Sequence, residues 1–66
     1  MNINDIAAKR RTENVTQARL AAYLKIQPIT LADIERSRIA ISDEELQRMD
    51  EAIDYIIAHP EEFATA

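Results

Sequence analysis

At 66 residues, the chain has the length of one domain, 1–66, and little room for a pocket that would enclose a substrate. It contains no cysteine and no glycine, which excludes disulfides, thiolate metal sites and glycine-rich phosphate-cradling loops. Its net charge of −4 is unevenly spread, with seven bases against four acids over residues 1–42 and one base against eight acids over residues 43–66.

The first helix is expected from about Asn4 to Glu13. Ile3, Ile6, Ala7 and Arg10 recur at helical spacing and form one inward stripe. Asn2 or Asn4 can cap its start. Asn14 can end it, because asparagine tolerates the left-handed conformation. The second helix is expected from Thr16 to Leu24, with Thr16 as the N-cap and Val15 before it as one half of a hydrophobic staple. Leu20, Ala21 and Leu24 face inward, and Ala21 is small enough for another helix to cross closely.

The third helix is expected to start at Pro28, since proline suits the first helical position, with Gln27 before it as the cap. Leu31 and Ile34 continue the inward stripe, Ile26 in the turn is expected to be buried, and Ile29 falls outside the stripe. Arg36 to Ile41 reads as a loop, with Ile39 or Ile41 pinned to the core. Ser42-Asp43-Glu44-Glu45 is a capping-box start with acids in the first turn. The fourth helix then runs to about Ala58, with Leu46, Met49, Ile53 and Ile56 or Ile57 on its apolar side. His59-Pro60 breaks it, and Pro60–Phe63 can add one further turn. In a glycine-free chain, Asn14 and Ser37 stand where a glycine would be expected.

Other chemistry has little support. His59 is the only histidine, and its place near the end of the fourth helix is explained by the helix dipole. Asp50, Glu51 and Asp54 read as a solvated acidic face, and Tyr23 and Tyr55 as rim aromatics. No catalytic residue, metal or cofactor is expected, and the chain is not expected to be an enzyme. No apolar run approaches the ~20 residues of a membrane span. Met1 to Asp5 lacks the pattern of a signal peptide, so a cytoplasmic protein is expected.

Two short helices with almost no chain between them, Thr16–Leu24 and Pro28–Ser37, form the pattern of a helix-turn-helix. With four helices placed, the chain resembles the Cro/CI family of lambda-repressor-like DNA-binding domains over about Ile3 to Ile53. The residues that carry the resemblance are Arg10 near the end of the first helix, Thr16-Gln17 with Leu20-Ala21 opening the second, and Ile26 in the turn. Leu31, Ile34 and Glu35 on the third helix and Ser42, Leu46, Met49 and Ile53 on the fourth complete it. The resemblance implies an all-α, four-helix fold with a short C-terminal helical turn. It also implies an Arg10–Glu35 salt bridge, phosphate contacts from Gln17, Arg36 and Arg38, and dimerisation through the C-terminal region, here Ile56, Ile57 and Phe63. Lys25 replaces a usual glycine in the turn and can add a phosphate contact.

The base-reading positions implied are Gln27, Pro28, Ile29 and Asp33, with Ala32 beside them. Bidentate contacts to guanine or adenine need Arg, Lys, Asn or Gln, and of these only Gln27 qualifies. Pro28 and Ile29 can touch a thymine methyl, and Asp33 can accept from a cytosine amino group. The expected function is a small, dimeric DNA-binding regulator of the Cro or repressor kind, with the third helix in the major groove of double-stranded DNA. The alternative is a protein-interaction module on the same fold, an antirepressor or antitoxin-like partner using the apolar patch of Pro28, Ile29 and Ala32.

Overall fold

The structure, a computed structural model, describes residues 1–60. It consists of α1 (Ile3–Thr12), α2 (Gln17–Leu24), α3 (Pro28–Glu35) and α4 (Asp43–Ala58). No strand occurs among the described residues. Side-chain caps start three of the four helices. The Thr16 hydroxyl accepts from the Arg19 amide at 3.1 Å, and the Ser42 hydroxyl accepts from the Glu45 amide at 3.2 Å. The two-way box expected at Ser42 occurs instead at Asn2 and Asp5. There each side chain accepts from the other residue's amide, at 3.0 and 3.1 Å. Helix α3 starts differently: Gln27 makes no side-chain cap bond, and Pro28 supplies the preset backbone angle.

The first three helices end in one way. Asn14, Lys25 and Ser37 take left-handed angles, with φ of 60°, 61° and 62°. In each case the next amide reaches back across the last turn: Val15 to the Arg10 carbonyl (2.9 Å), Ile26 to Ala21 (3.0 Å) and Arg38 to Asp33 (2.9 Å). The left-handed residue itself bonds one carbonyl later, Asn14 to Arg11, Lys25 to Ala22 and Ser37 to Ile34. This paired pattern satisfies carbonyls that a helix end leaves open. It also turns the chain sharply enough that three residues suffice between α2 and α3.

The core lies where α4 crosses α1 and α2, with α3 packed on those same two helices. Leu46, Met49, Ala52, Ile53 and Ile56 fall on one side of α4 and are buried. They meet Ile6 of α1, Leu20 and Ala21 of α2, and Leu31 and Ile34 of α3. Val15 joins the same cluster as Leu20, the two positions of a hydrophobic staple. Ile26 and Ile41 pack against the core, whereas Ile39 is exposed.

A polar clamp reinforces the α1–α4 contact. Lys9 Nζ lies 2.7 Å from both Asp50 Oδ1 and Asp54 Oδ1. The hydrogen bond to Asp50, then that to Asp54, raises the Lys9 pKa above its ordinary value. The expectation of a purely solvated acidic face is therefore corrected at these two positions. They are one turn apart on α4, and α1 lies close enough for one lysine to span both. The fold is all-α and lambda-repressor-like, with α2 and α3 as the helix-turn-helix.

Candidate nucleic-acid interface

The geometry of the reading helix is set at its far end. Arg10 Nε donates to Glu35 Oε2 at 2.7 Å, and Nη2 donates to Oε1 at 3.0 Å. The third guanidinium nitrogen, Nη1, donates to the Val15 carbonyl at 2.9 Å, and Gln17 Nε2 donates to Glu35 Oε1 at 2.9 Å. Arg10 and Glu35 are both buried. Burial alone, the largest influence, pushes the Glu35 carboxyl up. The hydrogen bonds from Arg10 and Gln17, with the charges of Arg10 and Arg11, more than offset it and leave the pKa below the ordinary carboxylate value. A two-pronged pair of this kind has directional rigidity as well as charge attraction. It joins the end of α3 to α1, and Gln17 extends the junction to the start of α2.

Gln17 therefore has a place that differs from its expected one. Its carboxamide nitrogen points into the junction, because Glu35 carries lone pairs that Arg10 alone does not fill. It still lines an open depression with Arg11, Thr16, Ala32, Glu35 and Arg36. Arg11 is a residue that sequence reasoning missed on this face. The signal was available: with Arg10 turned inward, helical geometry points the next side chain about 100° around the helix. Arg36, Arg38 and Lys25 are exposed at either end of α3.

The first turn of α3 is open. Ile29 is 66% exposed, the largest exposure among its described large apolar side chains, and Gln27 and Pro28 are exposed beside it. Two neighbours do not share this surface. Ala32 is buried, at 8% exposure, so it drops out of both the reading face and the apolar patch. It stands one turn from Pro28 but on the side that packs on the rest of the domain. Asp33 is half-buried and lies 3.6 Å from Arg38 Nη1. The backbone turn at Ser37 folds Arg38 back over the end of α3, which brings the two charges together.

The residues expected at a dimer interface separate as well. Ile56 is 1% exposed and belongs to the core, so it cannot face a partner. The reason is periodicity: Ile53 and Ile56 are three apart and share the inward side, while Ile57 turns out and is exposed. Phe63 lies outside the described residues. Near Ile57 in sequence is an aromatic group that joins α2 to α4. Tyr23 of α2 packs on Tyr55 of α4 at 5.2 Å between ring centres, and Tyr55 stacks on His59 at 4.0 Å. The His59 Nδ1 sits 2.9 Å from the Tyr55 carbonyl oxygen.

Among the described residues there is no group of three or more histidines, cysteines or carboxylates placed to hold a metal ion. None of the helices there is long and apolar enough to cross a membrane. A helix-turn-helix family model matches residues 6–55, from the first core residue of α1 to the aromatic group on α4. No curated protein and no solved structure gives a match to this chain. The matched span covers all of α2, the turn and α3, together with the Arg10–Glu35 junction that orients them, and the chain belongs to the Cro/CI-type helix-turn-helix family of DNA-binding regulators.

Proposed function

We propose that this protein is a small cytoplasmic transcriptional regulator, without enzymatic activity, that binds double-stranded DNA as a homodimer. Helix α3 enters the major groove with Gln27, Pro28 and Ile29 against base edges. Lys25, Arg36 and Arg38, with Arg11 of α1 and Gln17 at the start of α2, hold the phosphates on either side. The observation that carries this reading is the uncommitted first turn of α3. Its outward side is exposed and free of acids, with Lys25 just before it, at the end of a helix whose other end is fixed by a buried, fully bonded ion pair. The charge distribution supports the same pose. Residues 43–66 carry most of the acids and would be repelled by the duplex, so the basic half is the half that approaches. Covering a promoter in this way represses by occlusion. Tyr23, Tyr55 and Ile57 are the exposed apolar groups available for pairing two copies, with Phe63 a further candidate.

The test is selection from random duplex DNA, followed by titration of the enriched pool at two salt concentrations. The expected result is an enriched two-fold symmetric site, with log affinity falling against log salt by about 0.9 per phosphate contacted. No enrichment, with only weak binding at low salt, overturns the proposal. The exposed Ile29 beside Pro28 favours a second reading in that event, a module that docks an apolar protein surface on the same turn.

A further inference from the structure

We infer that Ile29 is the specificity-determining residue of this helix-turn-helix and that it reads thymine through the 5-methyl group in the major groove, an inference that rests on the DNA-binding reading above. The commonest readout of guanine is a bidentate contact from an arginine or lysine on the groove-facing turn. The first turn of α3 carries none. Arg36 and Arg38 lie past the other end of the helix, ~10 Å along its axis, and Arg38 is turned onto Asp33. Asp33 is half-buried, 3.6 Å from Arg38 Nη1, and so is less open to a cytosine amino group than Ile29 is to a methyl. Ala32 is buried. What remains facing outward is an aliphatic side chain, 66% exposed, following exposed Gln27 and Pro28. Among the four bases only thymine presents an apolar group on the major-groove edge. Contact with it removes both the methyl and the isoleucine from water, which is favourable for both partners. Gln27 acts in the same direction, because a carboxamide pairs with adenine N6 and N7. Both outward side chains thus favour A·T pairs, one by hydrogen bonds and one by apolar contact.

Uracil isolates the effect, since it pairs with adenine as thymine does but lacks the methyl. The full chain would be titrated, at one fixed salt concentration, with two synthetic duplexes of the selected sequence, one containing thymine and one deoxyuridine throughout. The expected result is about fourfold weaker binding to the uracil duplex for each methyl contacted. Ile29→Ala should shrink the difference between the two duplexes, with an unchanged melting temperature because the side chain is exposed. Equal wild-type affinity for the two duplexes, with DNA binding intact, overturns the inference and leaves the DNA-binding reading standing. So does a selected site without A·T pairs under α3. Failure to bind any duplex at low salt overturns the DNA-binding reading, and the thymine inference falls with it.

Discussion

At the scale of single residues, Glu35 has the largest consequences. It is buried and receives three side-chain hydrogen bonds, two from Arg10 and one from Gln17. Replacing it with alanine leaves the Arg10 guanidinium buried without its counter-charge, and removing one partner of such a pair typically costs ~3–5 kcal/mol. For a domain of this size each 1 kcal/mol shifts the melting temperature by roughly 4–8 °C, so thermal denaturation of Glu35→Ala should show a fall of more than ten degrees or an unfolded chain. The same residue sets an acid limit. Its folded pKa is lowered from 4.5, so its contribution to stability is present above pH 4.5 and is lost as pH falls through the lower, folded value. Glu35→Gln should flatten the acid limb of a stability-against-pH curve. Lys9 works in the opposite sense. Its pKa is raised from 10.5, so its contribution is complete below that pH and is lost as pH rises through the folded value.

At the scale of elements, the notable feature is three left-handed helix ends built without glycine. Each such residue carries a steric cost of roughly 1–2 kcal/mol relative to its right-handed form. Glycine would remove that cost but add back ~0.5–1 kcal/mol through the entropy of the unfolded chain. Lys25→Gly should therefore raise stability by about 0.5 kcal/mol, or a few degrees in a melt. It should also weaken DNA binding and lower the salt dependence if Lys25 holds a phosphate. A valine at the same position, branched at Cβ, should destabilise. Much at this scale was legible beforehand. The starts at Thr16 and Ser42, the proline start of α3 and the left-handed positions at Asn14 and Ser37 all depend on bonds within three to five residues of one another, so short-range residue preference decides them. The full capping box formed at Asn2–Asp5 rather than Ser42–Glu45, a choice between two local options that pattern alone does not separate.

At the scale of the whole molecule, the division of labour is between a basic half that carries the helix-turn-helix and an acidic half that supplies α4 to the core. Ile29→Glu tests the functional end of that division. It puts a negative charge into a face proposed to meet bases and phosphates, and so should abolish binding in a titration with the selected duplex. The stability should stay within about 0.5 kcal/mol of the parent, since exposed positions tolerate change. Unchanged affinity would remove Ile29 from the interface. The acids on α4 are not all spare charge: Asp50 and Asp54 spend theirs on Lys9. The exposed part of the reading surface is smaller than the sequence suggested, because Ala32 turns inward and Asp33 is half-buried.

By itself the sequence determined the four helices, their stops and the inward stripe of Ile6, Leu20, Leu31 and Ile53, because hydrophobic periodicity and caps are local. Through its resemblance to a family, it also pointed to Arg10 and Glu35, 25 positions apart. Only the tertiary structure decided that Lys9 clamps two carboxylates 41 and 45 residues away, that Gln17 joins the buried junction, and that Tyr23 of α2 packs on Tyr55 of α4. Those outcomes depend on how far helices rotate and how closely they approach when α3 and α4 each pack across α1 and α2, and no spacing along one helix encodes the angle at which it meets another.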